Sequence, residues 1–154
     1  MIGQLLDMWE NKIEETTELF ELLGDRFATE PVAPGKNRVI YLLGHLLVIH
    51  DGIFEALELG KRSYTHYDEL FLTPQHPANK YPPYDLLLHK WISLNKTLTF
   101  QLRHIPFDEW RSKHHYISDT DFALHPTKNK FCVFQCTTMH LFHHSGQLAL
   151  IHID

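Results

Sequence analysis

The chain is short of cysteine and glycine and lacks any concentration of positive charge. Each shortage removes a class of protein. Its two cysteines, Cys132 and Cys136, stand four residues apart, a spacing that fits neither a C-x-x-C redox motif nor a zinc ribbon. The seven glycines are scattered, and none builds a phosphate-cradling loop. Lysine and arginine number 14 against 19 aspartates and glutamates, for a net charge of -5. With no basic block or stripe, general nucleic-acid binding is disfavoured. The first residues, Met1 to Glu10, lack a basic region and soon turn acidic, unlike a secretory signal. No apolar run reads as long enough to span a bilayer, so no membrane association is expected. The expected compartment is the reducing cytoplasm. No strand period, internal repeat or Ser/His/Asp arrangement stands out either.

What is present is helical. The 154 residues read as a single domain, residues 1–154, large enough for a real core. Leu5, Leu6, Trp9, Ile13, Phe20 and Leu23 form one stripe of an amphipathic helix over about 3–24, with Glu10, Glu14, Glu18 and Glu21 opposite and Gly24 as its stop. A second helix is predicted over about 37–59. Leu42, Leu46, Ile49, Ile53 and Ala56 mark one face, and Ile40, Leu43, Leu47 and Phe54 a second. A helix apolar on two sides is central or covered by a partner. A third spans about 83–104 on Leu87, Trp91, Leu94, Leu98 and Leu102, stopped by Pro106. A fourth starts near Thr127 or Asn129 and runs to the C-terminus. Its front is read as Val133, Cys136, Thr137, His140, Leu141, His144, Leu148 and Ile151, its back as Met139, Phe142, Gly146, Ala149 and Leu150. The expected fold is all-α, a four-helix bundle. Two long connections, about 61–82 and 105–130, allow crossovers and are functional candidates. The spare apolar faces of the second and fourth helices point to a homodimer.

Thirteen histidines are many for this length, but only some are placed to act together. His140 and His144 are one helical turn apart, which stacks their side chains on one face. Two imidazoles so placed can converge on a divalent ion, and His45 in the second helix is the distant candidate for a third ligand. The alternative is that the pair are core-edge histidines bonded to backbone or water. His143 reads as surface or as a supporting group, and His50 points away from His45. Gln147, one turn from His143 and His144, reads either as a hydrogen-bonding partner of a ligand or as plain helix surface. His140-Leu-Phe-His-His144 lacks the glutamate of H-E-x-x-H, which disfavours peptide hydrolysis by that route. A thiolate ligand from Cys136 is less favoured than a small buried thiol.

Gly44-His45-Leu46 in the second helix and His140-x-x-x-His144-x-Gly146-Gln147 in the last together resemble the DinB/YfiT-like superfamily, over nearly the whole chain. The resemblance implies a four-helix bundle with crossover connections, often dimeric. It also implies a divalent metal, commonly zinc or nickel, bound by His45, His140 and His144 at one end of the bundle. The superfamily includes transferases that use a low-molecular-weight thiol, a maleylpyruvate isomerase and hydrolases. The expected function is therefore a metal-dependent transferase acting on a small molecule with such a thiol. A metal-dependent hydrolase and a non-enzymatic dimeric metal-binding protein are the alternatives. No residue is assigned as the catalytic base.

Overall fold

The computed structural model of the chain describes residues 1–151, and His152 to Asp154 lie outside the described residues. Among the described residues it is all-helical, with no strand. Four long helices carry the core: α1 (Ile2–Leu23), α2 (Val39–Ala56), α4 (Tyr84–Arg103) and α6 (Lys130–Leu148). Two short ones, α3 (Asp68–Phe71) and α5 (Asp119–Leu124), lie in the long connections. The predicted boundaries are met within three residues, save that α6 stops at Leu148 rather than running to the end. Asn129 is the N-cap of α6, its side chain accepting the Cys132 amide at 3.0 Å, as its position before the apolar run suggested.

The apolar stripes of α1 and α4 face each other. Trp9, Phe20, Leu23, Leu87, Trp91, Leu98 and Leu102 are fully buried or nearly so, and burying each such side chain stabilises by about 1.5–3 kcal/mol. The two indoles are also pinned. Trp9 Nε1 donates to Thr99 Oγ1 at 3.2 Å and Trp91 Nε1 to Thr17 Oγ1 at 2.8 Å. Tyr84 donates to the Phe20 carbonyl at 2.7 Å. These three bonds fix α1 and α4 as antiparallel neighbours. Trp9 packs on Phe134, and Lys12 lies over the Phe142 ring, so α1 and α6 run parallel. His45 meets His140, while Glu58, just past α2, pairs with Lys130 at 2.9 Å. α2 and α6 are therefore antiparallel, and α2 and α4 share one direction.

That arrangement explains the connections. Because α2 and α4 are parallel neighbours, residues 57–83 must travel back along the length of α2 before α4 can begin. The link between α4 and α6 instead crosses between helices on opposite sides of the core. Its Trp110 packs on Phe134 and is almost wholly buried.

Three expectations change. The second apolar face of α2 is not spare: Ile40, Leu43, Leu47 and Phe54 are buried within the chain. The α2 window is also long and apolar enough to cross a membrane, with mean hydropathy 1.5, contrary to the sequence reading. Yet 78% of it is buried against the rest of the protein, the position of a core helix. Finally, the inward face of α6 is rotated from the one projected. Phe134, Thr138, Leu141, His144, Ser145 and Leu148 are buried while Cys136 is exposed, because the rings of Trp9 and Trp110 capture Phe134. The projected back of α6 does face solvent, with Met139, Phe142 and Leu150 exposed.

Candidate metal centre

The three histidines singled out by spacing come together. His45 sits on the second turn of α2, and His140 and His144 occupy successive turns near the end of α6. His45 Nε2 lies 3.1 Å from His140 Nε2, which lies 3.0 Å from His144 Nε2. One ligating atom from each of the three lies within 4.8 Å of the others. His144 is buried, and His45 and His140 are partly exposed, so the cluster reaches the surface on one side.

The outer nitrogens settle which atoms can bind. A backbone carbonyl only accepts, so His45 Nδ1 donates to the Phe71 carbonyl at 2.8 Å. That leaves a lone pair on Nε2. His144 Nδ1 donates to Gln147 Oε1 at 2.7 Å, while Gln147 Nε2 donates to His143 Nε2 at 3.1 Å. Both flanking histidines thus aim unprotonated Nε2 atoms at His140 Nε2. A single proton on His140 can serve only one of the two contacts, leaving the other as lone pair against lone pair. One cation at the centre would satisfy both contacts. Nitrogens about 2.0–2.1 Å from a zinc ion, at tetrahedral or octahedral angles, are separated from each other by roughly 2.9–3.4 Å, which brackets the two short separations. The donor set therefore fits a divalent ion. The one ring nitrogen left over, His140 Nδ1, is buried without a partner among the described residues.

Electrostatics holds the trio in the ligating form. Burial first, and then the repulsion of neighbouring imidazoles, pushes the pKa of His140 down to about 4. Burial also takes His144 down to about 4 against the pull of Gln147. His45 is lowered too, again chiefly by burial. All three are neutral at pH 7, as metal ligation requires.

The surroundings of His45 were only partly legible. Tyr41, one turn earlier on α2, stacks on the imidazole at 5.7 Å between ring centres and 12° between planes. Phe71, the last residue of α3, was not anticipated. Its fully buried ring lies against Gly44, where an added Cβ would come within 2.1 Å of it. Glycine directly before His45 is thus what admits Phe71, and Phe71 supplies the carbonyl that sets the tautomer of His45. The signal was the Gly-His pair itself, but nothing local named the partner. Gln147 resolves in favour of a bonding role, and His143 is an exposed supporting group.

Other candidates lie elsewhere. The connection 105–130 does not reach the trio. Its His115 amide bonds the Ala56 carbonyl and Tyr116 bonds Glu55, about 16 Å along the helix axis from His45 at 1.5 Å per residue. Cys132 and Cys136 are free thiols outside the cluster. His50 points away, as expected, and is sealed between Trp9 and Trp91 at 4.6 and 4.9 Å. Clefts of about 430 Å³, beside Phe100 and Lys130, and about 500 Å³, beside Ile13 and Ile92, contain none of the three histidines. No family model matches the chain, and no curated protein matches it closely enough to count.

Proposed function

We propose that His45, His140 and His144 hold one divalent ion, zinc or nickel, and that the chain is a DinB/YfiT-like four-helix bundle acting as a metal-dependent transferase. The single observation that carries the metal reading is the convergence of three Nε2 atoms while His45 and His144 commit their other nitrogens to fixed acceptors. Three protein ligands leave a position open for another molecule. There the ion would lower the pKa of a low-molecular-weight thiol, or of water in the hydrolase alternative. The chain's own contribution is to orient. Phe71 and Gln147 hold two ligands in the correct tautomer, and Tyr41 stacks behind His45. The thiol and a small electrophilic substrate rest on the resemblance alone, a cytoplasmic setting rests on the composition, and a homodimer has one structural feature behind it. The exposed back of α6 is the support for the dimer.

A second reading has its own support. The trio ties α2 to α6 while the two clefts lie elsewhere, which suits an ion that only staples the helices. The test is elemental analysis of tag-free protein, wild type beside His144→Ala, purified without added metal. Near one zinc or nickel per chain, lost in the variant with helicity retained, is the expected result. No metal in either protein, and none taken up on titration, would overturn the proposal. A closed site with no exchangeable fourth position would favour the staple.

A further inference from the structure

We propose that Arg62 is a positioning residue for His45, acting through the short helix α3. The inference rests on the metal-binding reading of the trio and deepens it. α3 is attached to α2 at both of its ends. At its far end, Phe71 packs on Gly44 and receives the His45 Nδ1–H. At its near end, the Arg62 guanidinium holds the Asp68 carboxylate by two parallel bonds, Nη1 to Oδ2 at 2.9 Å and Nη2 to Oδ1. The same guanidinium turns its Nε to Asp51 of α2 at 3.4 Å.

Asp51 is the anchor. It is wholly buried and accepts the backbone amides of Ser63 and Tyr64 at 2.8 and 2.9 Å. A buried carboxylate is tolerated only when its lone pairs are filled, and here residues 62–64 fill them. The returning connection is therefore clasped to α2 two turns beyond His45 and delivers α3 at a set height. A four-residue helix makes a rigid lever: with Asp68 held, the Phe71 carbonyl has little freedom. With Asp68 released, the Phe71 carbonyl is held from one end only, by the ring on Gly44 and by Tyr41, whose hydroxyl donates to the Thr73 carbonyl at 2.8 Å. His45 Nδ1–H then has a less closely fixed acceptor, and the tautomer with the proton on Nε2 cannot ligate through that nitrogen. Groups that orient metal-bound histidines typically govern affinity by 10–100-fold, and the clasp works at one remove, so a shift of about tenfold is expected.

The experiment compares wild type with Arg62→Gln, Arg62→Lys and Asp68→Asn. The control is Arg103→Gln, which breaks a comparable surface bridge from α4 to Asp7 and Glu10 on α1, far from α3. Two readouts are taken: zinc affinity by competition with a chromophoric chelator, and the His45 tautomer in metal-free protein by nitrogen-15 NMR. Arg62→Gln and Asp68→Asn should weaken zinc about tenfold at unchanged stoichiometry and shift His45 away from the Nδ1–H form. Arg62→Lys should recover part of the loss. Arg103→Gln should lower thermal stability and leave both readouts alone. Wild-type affinity and tautomer in Arg62→Gln would overturn the proposal, as would an equal loss of affinity in Arg103→Gln. Should wild type bind no zinc, the metal reading falls by itself, and the tautomer measurement still decides the role of Arg62.

Discussion

His50 makes stability depend on pH in a way that can be worked out beforehand. The imidazole is fully buried between two tryptophan rings. Asn95 donates its Nδ2 to the Trp91 carbonyl, so its Oδ1 is the acceptor that takes His50 Nδ1–H at 2.7 Å. His50 Nε2 is buried with no partner among the described residues. A second proton would create a cation with an N–H that no acceptor meets, and burial accordingly pushes its pKa from 6.5 down to about 3. Above pH 6.5 the folded and unfolded chains are both neutral here, and the site contributes nothing to the pH dependence. Below it the unfolded chain gains the proton and the folded chain does not, so stability falls with pH until about pH 3. The full span is 3.5 units, or about 5 kcal/mol at 1.36 kcal/mol per unit. Between pH 7 and pH 5 the loss is about 2 kcal/mol, with a slope near pH 5 of about one proton. His140 and His144 titrate in the same direction, so the contrast must be between variants. His50→Asn keeps a donor near the Nδ1 position and has no titrating group. Urea unfolding of chelator-treated protein from pH 7.5 to 5 should show it less stable than wild type at pH 7, through the smaller side chain, but with a slope shallower by about one proton. Parallel pH profiles for the two proteins would refute the reasoning.

Other expectations follow from the site and its support. Gly44→Ala drives a methyl group into the Phe71 ring; unfolding should reveal a loss of about 1–3 kcal/mol, with weaker zinc binding than in a variant equally destabilised elsewhere. Gln147→Met removes the acceptor for His144 Nδ1–H, and competition titration should show zinc affinity down by about 10–100-fold with helicity unchanged. Zinc at 100 times its Kd should add about 2.7 kcal/mol to the unfolding free energy. Calorimetry with and without chelator would register that as a rise in Tm of roughly 5–10 °C for a chain of this size; no rise would mean that zinc does not bind the folded state preferentially.

The long helices were legible because periodicity is local. Leu87, Trp91, Leu94, Leu98 and Leu102 repeat at three or four residues, and every one is buried. The histidine pair on α6 was legible for the same reason, since four residues make one turn. What could not be read was anything set by the path of the chain between helices. Both long connections looked alike in composition, rich in aromatic and polar residues. Only 57–83 approaches His45, because only that link joins parallel neighbours and must retrace α2. The rotation of α6 escaped for a related reason. Projection places Cys136 and Thr137 with the apolar stripe, but Trp9 and Trp110, distant in sequence, decide that Phe134 turns inward.

α2 shows how those non-local choices hold together. It is the most apolar helix, and hydrophobicity alone would let it slide or rotate against its neighbours at little cost, since Leu, Ile and Val are nearly interchangeable in a greasy seam. Three buried or half-buried polar residues remove that freedom, and each answers to a different element. His45 needs the Phe71 carbonyl on α3, His50 needs Asn95 on α4, and Asp51 needs the amides of Ser63 and Tyr64. A shift of α2 by one turn would leave all three unpartnered inside the core, at about 1–3 kcal/mol for each neutral group and more for the carboxylate. The register that presents His45 to α6 is therefore set from the opposite side of the helix. On this account the cluster should be assembled before any ion arrives, and metal should add affinity and stability to a site whose geometry the polar pins of α2 have already fixed.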